Sequence, residues 1–184
     1  MDETGAFYFI EMNTRIQVEH PVTEMQTGLD LIKEQIKIAA HRKLEIKQGD
    51  VVTDGHTIEC RINAEDPEKD FRPGCGNVGF VHFPGGIGVR VDTAIYNGYE
   101  IPPYYDSLLA KVIVHADTRL DAIRKMRRAL EELVIEGVPT TGDFEYLILN
   151  QRDYIEGHYS VDYIAQHYEE LVKLLGICSE RSRS

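Results

Sequence analysis

The sequence is poor in basic residues. Its 184 residues include 20 Lys and Arg against 31 Asp and Glu, which gives a formal net charge of −11 at pH 7. Non-specific nucleic-acid binding needs a basic face that displaces counterions, so this composition argues against that class of function and predicts no nucleic-acid partner. An anionic small-molecule ligand stays compatible with it, because a few arginines or a divalent cation outweigh the average field locally.

Cysteines and long hydrophobic runs are also scarce. The three cysteines, Cys60, Cys75 and Cys178, have no C-x-x-C spacing, which predicts reduced thiols rather than a disulfide scaffold or a zinc site. No apolar run approaches the ~20 residues that a membrane helix needs. The first residues, MDETGAFYFIEMN, lack the basic and apolar regions of a signal peptide. We therefore predict a cytoplasmic protein with no membrane partner.

The proportions are those of a globular protein, with 42% hydrophobic and 28% charged residues. This length fits one ordinary domain, or a small domain with part of another. The polar run GDVVTDG at Gly49–Gly55 is the best boundary, so we predict units at residues 1–50 and 51–176 and a frayed polar tail at 177–184. Gly5–Met12 reads as a strand whose hairpin partner is missing, so we expect either a natural domain that begins in this way or a chain that starts inside a domain.

Hydrophobic periodicity predicts both helices and strands, with most strands coming before most helices in the second unit. Alternation predicts an antiparallel sheet, and apolar residues at helical spacing predict the helices, one of them with a Thr-x-x-Asp cap. The predicted strands are His56–Asn63, Gly76–Phe83, Gly88–Asp92 and Leu108–His115, and the predicted helices are Asp30–Ala40, Thr118–Val134, Asp143–Asn150 and Ser160–Leu175. This order indicates an α+β fold.

Polar side chains concentrate directly after the first predicted strand, between Glu11 and His20. Glu11 and Asn13 alternate along the strand and so leave one face, where a carboxylate and an amide oxygen suit Mg²⁺. Arg15 offers a planar fork for a phosphate or carboxylate, and Glu19 offers a base. Two structural explanations stay open at this point: Arg15 and Glu19 could form a helical surface ion pair, and Glu11 could end an edge strand.

The run FYFIEMNTRIQVEHPVTEM resembles the ATP-grasp active-site segment of the biotin carboxylases. ATP-grasp ligases in general share the Glu-x-Asn portion, whereas the extension RIQVEHPVTE is specific. The segments GLDLIKEQIKIAA, GHTIECRINAEDP and PPYYDSLLAKVIVH are further matches, and the resemblance covers almost all of residues 6–175. It implies the C-terminal remnant of an ATP-grasp domain followed by the biotin carboxylase C-terminal domain, a small antiparallel sheet packed with helices.

The resemblance also implies roles for residues of the polar segment. Arg15 matches the arginine that holds bicarbonate and carboxyphosphate, and Gln17 and the backbone amide of Val18 match further bicarbonate contacts. Glu19 matches the base that removes the bicarbonate proton. Glu11, with Asn13 beside it, matches the metal ligand on the ATP phosphates, for Mg²⁺ or Mn²⁺.

Five residues outside that segment also match positions of the family. Arg61 matches the arginine that stabilises the biotin enolate, although spacing alone favours a structural ion pair with Glu59 or Glu65. Apolar positions near the adenine of ATP match Ile10 and Val161, for which core packing is the alternative. Ile87 and Arg90 fall where the family places part of a homodimer interface.

The implied reaction uses ATP and bicarbonate, through carboxyphosphate, to carboxylate biotin on a biotin carboxyl carrier protein. It is the first half-reaction of acetyl-CoA carboxylase in fatty acid synthesis, where a carboxyltransferase is a further partner, and the full-length parent is implied to be a homodimer. We expect this chain, as a C-terminal portion, to be inactive alone. Two alternatives stay open: a non-catalytic assembly or dimerisation module, and the biotin carboxylase domain of another biotin-dependent carboxylase. Another ATP-grasp ligase is disfavoured by RIQVEHPVTE.

Overall fold

The computed structural model describes residues 4–182, with side chains as far as residue 177. This part of the chain contains six α-helices: α1 (His20–Thr27), α2 (Leu31–Ala39), α3 (Arg119–Glu132), α4 (Gly142–Asn150), α5 (Arg152–Glu156) and α6 (Tyr163–Ser182). Its strands are β1 (His56–Asn63), β2 (Glu65–Asp66), β3 (Arg72–Pro73), β4 (Gly76–Asn77), β5 (Val81–His82), β6 (Val89–Thr93), β7 (Glu100–Ile101), β8 (Leu108–Ala116) and β9 (Val134–Ile135). None of these helices is long and apolar enough to cross a membrane.

The central element is a three-stranded antiparallel sheet with the order β1-β8-β6. In β1, Ile58, Cys60 and Ile62 are buried while the residues between them point to the other face. β8 is the middle strand, and its near-continuous apolar sequence fits a strand that is covered on both faces. The antiparallel sheet with its helices confirms the predicted α+β fold.

One face of this sheet packs on helices α3 and α4 and forms the main core. Ile123 and Met126 of α3 are fully buried against the apolar residues of β1 and β8. The predicted cap is present, because the Thr118 side chain accepts a hydrogen bond from the Asp121 amide at the start of α3. This packing makes β1 and β8 a rigid support for the side chains on their opposite face.

Three predicted elements differ from the structure. Gly5–Met12 is not a strand and belongs to none of the described sheets. The predicted strand Gly76–Phe83 is split into β4 and β5, since its backbone changes partner from Tyr99 to Glu136 between Val78 and Gly79. Helix α6 continues to Ser182, well into the predicted frayed tail, and residues 183–184 lie outside the described part.

The change of hydrogen-bond partner between β4 and β5 requires a glycine in the segment that faces them. Gly137 has a φ of +100°, and a Cβ at this position would collide with the carbonyl oxygen of Asn77. Only a residue without a side chain allows the two backbones to approach so closely.

The division at residue 50 into two units stays a prediction.

Candidate active site

The face of the sheet that points away from α3 carries the charged residues. Arg61 of β1 lies opposite Lys111 of β8, and Lys111 lies opposite Asp92 of β6. Directly opposed residues of antiparallel strands share one face, so these three side chains form a single row across the sheet. Helix α1 and the segment before it lie over this face, with contacts to β1 and β8. The polar segment identified in the sequence is therefore placed beside this charged row.

Arg61 lies between two carboxylates. Its Nη2 donates to Glu19 Oε2 at 2.8 Å, and its Nε lies 3.8 Å from Glu59 Oε1. The Arg61 and Glu19 side chains keep 48% and 53% of their surface exposed, whereas Glu59 keeps 5%. The structural ion pair considered for Arg61 is therefore present with Glu59, and the contact with Glu19 joins two residues predicted to be catalytic.

Glu59 is a buried carboxylate that no described residue hydrogen-bonds. Both of its oxygens are buried without a hydrogen-bond partner. Burial raises the pKa of Glu59, and the nearby charges of Lys111 and Arg61 partly oppose that rise. A carboxylate held in this way gives the site a negative potential directly beneath Arg61.

The predicted bicarbonate segment is held at its backbone. The carbonyl of Gln17 lies 2.7 Å from His20 Nδ1 and also accepts from the His20 amide at 3.2 Å. The carbonyl of Val18 accepts from Lys111 Nζ at 3.1 Å. Arg15 is exposed, and its Nη1 donates to Gln17 Oε1 at 3.0 Å. The first turn of α1 and a sheet lysine thus determine the shape of this loop.

The predicted ATP and metal residues lie in the open. Glu11 and Asn13 are exposed, and neither side chain is hydrogen-bonded to a described residue, so their oxygens are available to a cation. A hard cation accepts such oxygens together with water and phosphate, so this pair fits Mg²⁺ as part of a larger shell. Ile10 and Val161 are 89% and 100% exposed. Neither residue is therefore packed in the core of the part of the chain that the structure describes.

The two alternatives for the polar segment are not what the structure contains. Arg15 and Glu19 do not pair with each other along a helix, because α1 begins only at His20 and Glu19 pairs with Arg61. Glu11 does not end an edge strand, since its segment has no strand structure. Glu65, the other partner considered for Arg61, instead accepts hydrogen bonds from Asn63 and Ser107.

Arg90 connects α1 to the sheet. It donates to Glu24 Oε2 at 2.7 Å and holds Asp92 through two hydrogen bonds of 2.7 and 2.8 Å. Burial raises the pKa of Asp92, but the hydrogen bonds and positive charge of Arg90, together with those of Lys111, outweigh burial and leave this pKa below its usual value. Ile87, predicted with Arg90 to lie at a homodimer interface, is 96% exposed.

Sequence reasoning missed three residues of this site. Lys111 is the lone cation in the apolar strand LLAKVIVH, a pattern that could have singled it out. Glu59 was considered only as an ion-pair partner. His20, the last residue of the polar segment, begins α1 because the Pro21 that follows fits the first turn of a helix.

Comparison with protein families agrees with the motifs and the fold. The family described as "Biotin carboxylase C-terminal domain" matches residues 59–166, more than half of the chain. The family described as "Carbamoyl-phosphate synthase L chain, ATP binding domain" matches residues 1–47. The two matches leave residues 48–58 between them, a range that contains the polar run Gly49–Gly55.

Similar proteins carry the same family name. "Biotin carboxylase, chloroplastic" of Arabidopsis thaliana is 54% identical over 173 residues, which is 94% of this chain and 32% of that protein. "Biotin carboxylase 1" of Bacillus subtilis is 56% identical over 158 residues, 86% of this chain and 35% of that protein. The chain therefore spans about a third of the length of the curated relatives it matches.

A solved structure also superimposes closely. It is the biotin carboxylase domain dimer of the Hydrogenobacter thermophilus 2-oxoglutarate carboxylase, in complex with MgADP, ADP and bicarbonate. The TM-score is 0.90 at 50% sequence identity, over 93% of this chain and 38% of that chain.

Proposed function

The chain belongs to the biotin carboxylase family, and from this premise we propose that it supplies the bicarbonate-binding segment and the biotin-enolate arginine of an ATP-dependent biotin carboxylase. The observation that carries the proposal is the contact of Glu19 with Arg61 at 2.8 Å, between residues 42 positions apart in the sequence. An acid–base group and a cation held together on a rigid sheet suit a reaction that first removes a proton and then stabilises a new anion.

The proposed reaction has two steps. Bicarbonate attacks the γ-phosphorus of ATP and ADP leaves, which gives carboxyphosphate. Carboxyphosphate breaks down to CO₂ and phosphate. The released phosphate accepts the N1′ proton of biotin, and N1′ then attacks CO₂ to form carboxybiotin. Because the chain spans about a third of its relatives, the whole reaction is part of the proposal.

Each residue of the segment has a role in this scheme. Arg15 binds the bicarbonate anion through its planar fork, with Gln17 and the Val18 amide as further donors. Glu19 accepts the bicarbonate proton. Arg61 then faces the oxygen of the biotin enolate as its negative charge develops. The exposure of Arg15, Glu19 and Arg61 supports these roles, because a substrate can reach all three.

ATP and its metal ion would use the segment before Arg15. Glu11 and Asn13 would hold Mg²⁺, or Mn²⁺ in its place, which neutralises charge on the ATP phosphates. Their exposed oxygens support this assignment. Ile10 and Val161 offer uncovered apolar surface for the adenine.

The partners and the parent enzyme follow from the proposed chemistry. Carboxybiotin formed here would sit on a biotin carboxyl carrier protein and pass to a carboxyltransferase, and the parent would be a homodimer, as is the biotin carboxylase domain of Hydrogenobacter thermophilus. We favour acetyl-CoA carboxylase of fatty acid synthesis, with another biotin-dependent carboxylase as the alternative. We also propose a cytoplasmic location. Chloroplastic relatives exist in the family, so the relatives alone do not decide between the two compartments.

A chimaera tests the proposal. This chain replaces the matching third of Bacillus subtilis biotin carboxylase 1, which is 56% identical to it. Phosphate release from ATP is then measured with Mg²⁺, bicarbonate and free biotin, each omitted in turn. We expect release that needs bicarbonate and rises with biotin, and we expect the isolated 184-residue chain to stay at the blank.

Two results would count against the proposal. A chimaera that is folded by circular dichroism yet releases no phosphate would favour the assembly module. Turnover that is unaffected by R61M, with R124M at an exposed helix position as the matched control, would remove Arg61 from the chemistry.

A further inference from the structure

We infer that His20 and Lys111 are positioning residues that hold the two peptide groups flanking Val18, so that the Val18 amide points at bicarbonate. The inference rests on the proposed function, because it assigns a purpose to contacts beneath the bicarbonate segment. Neither side chain needs to touch the substrate. They act on the backbone that carries the donor.

The first peptide group is held by His20. The Gln17 carbonyl only accepts, so the His20 Nδ1 at 2.7 Å must carry the hydrogen of that bond. The His20 amide reaches the same oxygen at 3.2 Å. In a trans peptide the carbonyl and the next N–H lie in one plane and point in opposite directions. Two donors on Gln17 O therefore direct the Val18 N–H away from α1.

The second peptide group is held by Lys111. Its Nζ donates to the Val18 carbonyl at 3.1 Å and lies 3.4 Å from Asp92. The Lys111 side chain is 12% exposed, so Asp92 supplies the charge that stabilises a largely buried ammonium. With both flanking peptides held, the φ and ψ angles of Val18 are determined by residues from α1 and β8.

Lys111 also links the two halves of the proposed site. Arg61 and Lys111 are directly opposed residues of β1 and β8. The same row of the sheet therefore positions two groups. One is the amide proposed to bind bicarbonate, and the other is the guanidinium proposed to bind the biotin enolate. This relationship keeps the distance between the two substrates constant, which catalysis by proximity requires.

The test uses the ¹⁵N-labelled protein titrated with sodium bicarbonate, with sodium chloride as the control. The Val18 amide signal is followed in the wild type and in H20L, H20N, K111M and K111R. Asn at position 20 keeps a donor near the place of Nδ1, and Arg at position 111 keeps a cationic donor. We expect the apparent Kd to rise about threefold to tenfold in H20L and K111M, the equivalent of one hydrogen bond, and to be largely restored in H20N and K111R.

The outcomes separate the inference from the function on which it rests. No bicarbonate response of Val18 in the wild type overturns the proposed bicarbonate site. If the Val18 amide responds in the wild type, and H20L and K111M give the same Kd, the positioning roles are overturned. The proposed bicarbonate site is then unaffected. A long-range ¹H–¹⁵N spectrum of the wild-type imidazole needs no variant: the neutral Nδ1–H tautomer of His20 is expected, and the neutral Nε2–H tautomer overturns the role of His20.

Discussion

Arg61 contacts Glu19 at 2.8 Å and faces Glu59 at 3.8 Å. The group proposed to stabilise the biotin enolate is thus paired with the group proposed to deprotonate bicarbonate. When Glu19 accepts a proton it loses its charge, and its attraction for the guanidinium falls. The Arg61 guanidinium then becomes available to a new anion, while buried Glu59 keeps Arg61 in place. In the proposed mechanism, bicarbonate is therefore deprotonated before the enolate is bound.

The first prediction concerns E19Q in the chimaera. We expect the rate of bicarbonate-dependent phosphate release to fall by about 10²- to 10⁴-fold, the usual contribution of a general base. The free energy of unfolding should change by less than about 1 kcal/mol, because the pair with Arg61 is half exposed and screened by water. Phosphate release and urea unfolding measure the two effects. E45Q, at an exposed position away from the charged row, is the control, and equal activity of the two variants would contradict the role of Glu19.

The second prediction concerns the link between α1 and the sheet. R90M removes the ion-pair partner of Glu24, whose side chain is 9% exposed. It also removes one of the two cationic partners of Asp92, the other being Lys111. We expect a loss of about 1–3 kcal/mol in the free energy of unfolding at pH 7, less than for a fully buried pair because Arg90 is 35% exposed. R124M, which breaks an exposed pair with Asp121, should cost about 0.5 kcal/mol or less.

The pH dependence of the unfolding free energy at acid pH provides a second test of R90M. The folded-state pKa of Asp92 is below its unfolded value, because burial, which raises it, is outweighed by Arg90 and Lys111 acting together. Its contribution to stability is therefore present above the unfolded pKa and is lost as pH falls through the folded one. In R90M, the free energy of unfolding should therefore fall less steeply as pH decreases through the acid range, as measured by urea unfolding at a series of pH values. A fall as steep as in the wild type would show that Arg90 does not set the Asp92 pKa.

Local signals made part of the fold predictable. β1 has the predicted bounds because alternation is a property of neighbouring residues, and α3 begins at the predicted Thr118 cap. The segment Gly5–Met12 has a sequence typical of a strand, yet it belongs to none of the described sheets. Sequence alone therefore predicts propensity there and not structure.

Contacts between distant residues could not be predicted in the same way. The family resemblance pointed to Glu19 and Arg61, but no local pattern brings together residues 42 positions apart. The bond from Lys111 to Val18 spans 93 positions. Backbone carbonyls carry no sequence signature, so a lysine that binds one is visible only as an isolated charge in an apolar strand.

The third prediction concerns thiol reactivity. Cys60 is buried and Cys75 is exposed. Burial, and then the neighbouring Glu145, raises the pKa of the Cys60 thiol well above its usual value, so little thiolate forms there. In a C178S background, iodoacetamide at pH 8 should modify Cys75 quickly and Cys60 only after urea is added, as followed by peptide mass mapping. The same background with C75S should resist modification until it unfolds. Rapid labelling of Cys60 in folded protein would contradict its burial.

The last prediction concerns Glu145, whose Oε2 is buried without a hydrogen-bond partner among the described residues. Burial raises its pKa to about 8, although hydrogen bonds with Cys60 and Thr141 oppose the rise. Between the unfolded pKa of about 4.5 and the folded value, the unfolded chain binds fewer protons than the native one. Stability should therefore fall as pH rises through this window.

E145Q removes this titration and keeps a similar shape. We expect the wild type to lose a few kcal/mol of unfolding free energy between pH 5 and pH 8 from this group, and E145Q to lose correspondingly less, because an amide stays neutral throughout. Urea unfolding at four pH values across the window measures the difference, with E169Q on an exposed position of α6 as the control. Parallel curves for wild type and E145Q would mean that water reaches this carboxylate. Converging curves at low pH would locate the cost in its ionisation, since protonated glutamate and glutamine then present equivalent neutral groups to Thr141.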